Sequence, residues 1–163
     1  MNRDPVVIEE GYAPGCIGRI VELHGTYYAE HEGFGVYFES KVGRELGEFC
    51  SRYTKGRDGL WLARRDGRVE GSIVIDGIDP AAARLRWFIV SDALRGTGAG
   101  TRLLRPALDF CRSCRYPRVH LLTFSSLSAA RHLYEKYGFR LVSEERGSQW
   151  GKEVIEQRYE LLL

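Results

Sequence analysis

The run Arg95-Gly-Thr-Gly-Ala-Gly100 sits between a β-branched and aromatic stretch, Ala83–Val90, and an apolar-periodic stretch that begins at Thr101. Glycine at every second position strips the Cβ atoms from a strand-to-helix turn. The first N–H groups of a helix have no intrahelical partner, and the helix dipole adds partial positive charge to them. With no side chains at Gly96, Gly98 and Gly100, an anion can approach those amides closely, and Arg95 adds a full cation. The loop therefore reads as a holder for a phosphate or diphosphate. Its spacing differs from the G-x-G-x-x-G dinucleotide fingerprint, and no G-K-[ST] follows as in a P-loop. A strand, this loop, a helix and a further strand also require a crossover, which places part of the sheet in parallel pairing.

The rest of the chain supplies the layers around that crossover. Val6–Glu10 reads as a first strand. Ile17, Ile20, Val21, His24 and Tyr28 keep helical spacing, and Phe38, Val42, Leu46, Phe49 and Tyr53 do so over Val36–Tyr53. Asp66-Gly67 between two apolar runs signals a hairpin. The helix after the loop carries Leu103, Leu104, Ala107, Leu108, Cys111 and Cys114 on one face, and Pro106 inside it is expected to kink or shorten it. A buried-type strand over 118–124, a helix closed by Gly138, and two final strands complete the order β-α-α-β-β-β-α-β-α-β-β. In the last strand Ile155, Tyr159, Leu161 and Leu163 share one side. The expectation is an α/β fold: one domain over residues 1–163, with a mixed, mostly antiparallel sheet flanked by helices.

Composition narrows the function classes. With 163 residues, net charge +2 and no Lys/Arg block, the chain does not read as a nucleic-acid binder. No apolar stretch approaches the length of a membrane span, and the first fifteen residues lack the apolar core of a secretory leader, so a cytoplasmic location is expected. Cys111-x-x-Cys114 has no second pair at ligand spacing and lies in a helix, which argues for packing rather than metal binding.

R-G-x-G-x-G between strand and helix, followed by Ser128–Phe139, "SAARHLYEKYGF", resembles the acetyl-coenzyme A segments of the GNAT superfamily of N-acetyltransferases. The resemblance spans the chain. The helical region, about residues 14–55, also resembles acetyltransferase domains fused to MarR-type regulators, although no DNA-binding segment accompanies it here. The resemblance implies acetyl-CoA as co-substrate. The amides of Arg95, Gly96, Thr97, Gly98, Ala99, Gly100 and Thr101 would cradle its diphosphate. Phe88, Ile89 and Val90 would pair with the pantetheine arm like an added strand, with the Val90 backbone near the thioester carbonyl. Ser126, Ala129 and Ala130 would border the co-substrate, and Tyr134 would protonate the departing thiolate. Members often carry Asn seven residues before this Tyr, and here that residue is Leu127.

Acetyl transfer to an amine also needs a neutral nucleophile, and a lysine-like amine ionises near pH 10.4. The strand before the loop has no carboxylate to act as base. Glu39, carried forward as the catalytic candidate, His24, His31 and Asp76 could serve, and His120 reads as a structural residue on its strand. An ordered water chain is the other route, and the role stays open. Tyr27, Tyr28, Phe34, Tyr37 and Phe38 cluster where an amine pocket would lie. The function expected is acetyl-CoA-dependent N-acetylation of a small-molecule or protein amine. The alternative is an acetyl-CoA or CoA sensor with little catalysis. Partners are the acceptor, with a homodimer left open, and neither nucleic acid nor membrane.

Overall fold

The computed structural model describes residues 5–163. Its elements are β1 (Val7–Glu10), α1 (Cys16–Glu32), α2 (Val36–Ser51), β2 (Gly59–Arg65), β3 (Arg68–Asp76), β4 (Ala83–Val90), a 3-10 turn (Asp92–Leu94), α3 (Ala99–Ser113), β5 (Arg118–Phe124), α4 (Ser128–Lys136), β6 (Arg140–Gly147) and β7 (Val154–Leu162). The seven strands form one sheet in the order β1-β2-β3-β4-β5-β7-β6. Every neighbouring pair is antiparallel except β4 and β5, which are joined by the α3 crossover.

Alternation along the strands sends side chains to two different cores. Trp61, Ala63, Ile73, Ile75, Ala83 and Leu85 face α3, where they meet Leu103, Leu104, Ala107, Leu108 and Cys111. Leu60, Leu62 and Val74 face the other way, against Cys16 and Ile20 of α1 and Leu46 and Phe49 of α2. The apolar stripe of α3 also explains its course through Pro106. The helix is not shortened there, because packing on β2 and β3 outweighs the one backbone hydrogen bond that proline removes. Two boundaries move slightly: β1 starts at Val7 and α2 ends at Ser51. In β7 the inward row is continued by buried Gln157, whereas Leu163 is exposed. All four cysteines are free thiols, and burial raises Cys111 to about 12.

Two irregularities position the site. β4 and β5 are paired only at Ala83↔Val119 and Arg84↔His120, so the strands diverge beyond Arg84. On its other side β4 carries a bulge: Ser72 pairs with Ile89 but Val74 pairs with Arg86, leaving one extra residue on β4. Trp87 takes up that residue with φ 44°, a left-handed value that is strained for a bulky side chain. The fully buried Ser72 Oγ donates to the Trp87 carbonyl at 2.7 Å and holds the bulge. Ser72→Ala leaves that carbonyl without its donor and is expected to lower unfolding free energy by about 1–2 kcal/mol, read from the denaturant midpoint at unchanged slope.

Candidate active site

The loop after β4 turns through Gly96 (φ 74°) and Gly98 (φ 73°), and nothing lies within 4 Å of where a Cβ would stand at either. Gly98 is the N-cap of α3 and contributes no side chain to its first turn. The N–H groups of Gly96, Gly98, Ala99, Gly100 and Thr101 therefore make no hydrogen bond within the described chain, and they lie along a cleft of about 600 Å³. Bare amides at a helix N-terminus, with open space above two glycines, fit a diphosphate. Two residues drop out of the expected cradle. The Arg95 amide is committed to the Asp92 carbonyl at 3.1 Å, and both the Thr97 amide (3.2 Å) and its hydroxyl (2.6 Å) are committed to the Leu94 carbonyl. Thr97 faces the loop's own interior because its 3-10 turn closes on Leu94. The Arg95 side chain borders the cleft, pairing with Asp92 at 2.8 Å on the surface.

The same cleft runs from the loop along Phe88, Ile89 and Val90 to Ser126, Ala129 and Ala130 at the start of α4. Because β5 has already diverged, this part of β4 has a free edge facing it. At the far end lies Tyr134, buried among Phe88, Phe139 and Tyr159. Its hydroxyl makes no hydrogen bond in the described chain, and desolvation holds its pKa well above the ordinary phenol range. Beyond Tyr134 a second cavity, about 130 Å³, opens between α1, α2, β4 and β5. Tyr134, Tyr28, Phe88, Leu127 and Ala130 line both spaces and form the partition between them.

The four base candidates separate clearly. Glu39 is exposed, its carboxylate lies over Gly25 of α1, and it lines neither space. The helical register turns it away from the cavity into which Phe38 and Val42 point. Asp76 is buried in a two-pronged pair with Arg52 (2.7 and 3.1 Å) and is not at the cavity wall. His31 borders the larger cleft. His24 lines the smaller cavity with Nδ1 2.8 Å from the Ile20 carbonyl. That carbonyl can only accept, so Nδ1 carries the proton and Nε2 is left as the acceptor nitrogen. Burial lowers His24 to about 4, which keeps the ring neutral at physiological pH.

The cavity wall also holds residues that the chain order conceals. Lys41, Glu45, Arg84, Arg86 and Trp87 gather there from α2 and β4. Glu45 bridges Lys41 (3.0 Å) and Arg86 (2.7 Å), and the Arg86 guanidinium stacks 4.1 Å over the Trp87 ring. Alternation within β4 puts Arg84 and Arg86 on one face, but spacing inside a strand does not show that this face lines a cavity. Leu127 is the N-cap of α4 and makes no side-chain cap.

Compared with known proteins, residues 19–139 match the model of the acetyltransferase (GNAT) family, and the chain belongs to that family. It is an acetyltransferase, and the co-substrate of the family is acetyl-CoA. Similar folds are seen in a GNAT-family acetyltransferase from Staphylococcus aureus (20% identity, TM-score 0.77, 97% of this chain and 99% of that one). An acetyltransferase from Salmonella typhimurium solved with its cofactor acetyl-CoA gives 17% identity and TM-score 0.76 over 97% and 94% of the two chains. A GNAT-family acetyltransferase from Elizabethkingia anophelis with acetyl-CoA bound gives 16% and 0.67 over 99% and 100%. No curated protein sequence matches the chain at a significant level. Placing a β-branched side chain at the left-handed Gly98 both strains the turn and fills the space above the amides. Gly98→Val is expected to weaken acetyl-CoA binding at least about tenfold, measured by titration calorimetry.

Proposed function

We propose that the chain transfers the acetyl group of acetyl-CoA to the nitrogen of an amine that enters the smaller cavity. One observation carries this reading: Tyr134 stands in the partition between a cleft that begins at unpaired helix-N-terminal amides and a separate, polar-walled cavity. A module that only sensed CoA would need the cleft but not the second space.

Acetyl-CoA supplies the acetyl group as an activated thioester. The amides of Gly96 and Gly98–Thr101 hold its diphosphate, and the free edge of β4 at Phe88–Val90 orients the arm and offers N–H donors to the carbonyl oxygen. As the C–N bond forms and the C–S bond breaks, Tyr134 gives its phenolic proton to sulfur. Its raised pKa serves that role, since the group stays protonated across the working range. The neutral ring of His24 provides an acceptor for the proton the amine loses, directly or through water. The resemblance of residues 14–55 to domains fused to MarR-type regulators bears on the sensor alternative, in which a separate regulator would be the partner, and co-purification with a regulator tests it.

Tyr134→Phe removes the proton donor while keeping the ring. The turnover number is expected to fall at least about tenfold, with acetyl-CoA affinity changed less than about threefold. Undiminished turnover removes Tyr134 from the chemistry, and acetyl-CoA binding without turnover on any amine establishes the sensor instead. The pH profile follows from the same shifts. Burial disfavours the Tyr134 phenolate, so no basic limb is expected below about pH 10. Burial also disfavours the His24 imidazolium, so that ring is protonated only as pH falls toward about 4. Between those limits kcat/KM should rise with pH until the acceptor's own pKa is reached.

A further inference from the structure

The last paired position between β4 and β5, Arg84↔His120, lies at the apex of the divergence from which the smaller cavity opens. Registered residues on parallel neighbours point to the same face, here the face of α1 and α2, because Leu85, Val119 and Leu121 point into the α3 core. Among the described residues, the buried side-chain nitrogens that lack a hydrogen-bond partner are Arg84 Nε and His120 Nδ1. Two neighbouring orphans at one apex are unusual, since buried polar groups are nearly always satisfied.

Arg84 also lacks a counter-ion. It makes no hydrogen bond or ion pair in the described chain and is half-buried in the cavity wall. The carboxylates nearest to it are already engaged: Glu45 by Lys41 and Arg86, Asp76 by Arg52 at 2.7 Å and Arg86 at 3.8 Å. Its other charged neighbours, Arg86 and Arg158, are cations. Burial, Arg86 and Arg158 pull Arg84 down to about 10, and burial, Arg158 and Arg84 pull His120 down to about 4, so Arg84 stays charged at neutral pH and His120 neutral. A desolvated guanidinium without a partner is costly in the free protein, and a ligand oxyanion would remove that cost.

We infer that this apex is an oxyanion site, and that the acceptor is a small amine bearing a carboxylate or a phosphorus oxyanion a few bonds from its nitrogen. The inference rests on the transferase reading above. Arg84 takes the anion, His120 lies beside it, and the amine points along the cavity toward Trp87, Phe88 and Tyr134. A cavity of about 130 Å³ bounded by Phe38, Phe124 and Trp150 has room for a small amine.

The test pairs glycine, β-alanine, γ-aminobutyrate and methionine with their carboxamides, and 2-aminoethylphosphonate with ethylamine, in a thiol-release assay with acetyl-CoA. At least one anionic amine is expected to exceed its uncharged counterpart about thirtyfold or more in kcat/KM, and Arg84→Gln to bring that ratio close to one. Arg84→Lys should keep part of the preference, because it keeps the charge but not the fork. In parallel, the anionic amines should raise the melting temperature of the CoA-saturated wild type but not that of CoA-saturated Arg84→Gln. Acetyl-CoA titration of each variant confirms that it is folded. Equal use of charged and uncharged amines, a preference that survives Arg84→Gln, or no anion-dependent melting shift in the wild type overturns the inference. Failure of acetyl-CoA to bind the wild type at all overturns the transferase reading instead. The carboxylate and phosphonate arms identify which oxyanion the site takes.

Discussion

Past Arg84, β4 has a strand neighbour on one side only, and the backbone groups on its open edge must find other partners. The rest of the site depends on that one lost pairing. The bulge at Trp87 tilts the open edge, Ser72 holds the bulge from the intact side, and the chain then passes through a 3-10 turn into the bare amides before α3. A sheet that stayed closed between β4 and β5 would satisfy these groups internally and leave neither cleft nor cavity. The cost of leaving them open is met by cores on both faces, which hold the first residues of β4 against α3 and β3.

Desolvation then sorts the protonation states of the two groups nearest the partition. Taking charge out of water raises the pKa of an acid and lowers that of a base. Burial therefore keeps Tyr134 a neutral donor and His24 a neutral acceptor, with no carboxylate on β4. The same low polarity makes the unmatched Arg84 conspicuous, since its neighbour Arg86 is neutralised by Glu45 and stacked on Trp87.

What could be read from the chain alone follows the range of each signal. The Arg95–Gly100 loop and the Gly138 helix end are local backbone requirements, and their glycines stand in the sequence. Strand and helix order was legible because apolar spacing of two or 3.6 is also local. Thr97 was misplaced in the cradle because its hydrogen bonds to Leu94 depend on a 3-10 turn that leaves no compositional trace. Glu39 was favoured for its charge near the expected pocket, yet one helical position decides whether a side chain meets the cavity or solvent. The bulge at Trp87, the Arg84–His120 apex and the Lys41–Glu45–Arg86 bridge come from pairings between strands or between helix and strand, to which spacing within one element is blind.

The tip of the α1–α2 hairpin meets the β5–β7 half of the sheet through edge-on and tilted rings, Tyr28 and Phe34 against Phe124, within one apolar cluster that includes Phe38 and Trp150, and through Glu32, which accepts from Ser126 Oγ and Lys152 Nζ. Dispersion contacts tolerate exchange of one apolar shape for another far better than hydrogen bonds tolerate a changed register. The cleft bordered by backbone amides and the smaller cavity, part of whose wall is made of rings, are thus free to diverge at different speeds over a lineage. Descendants of this chain could reshape the smaller cavity by trading rings at the clasp while inheriting the loop of bare amides intact.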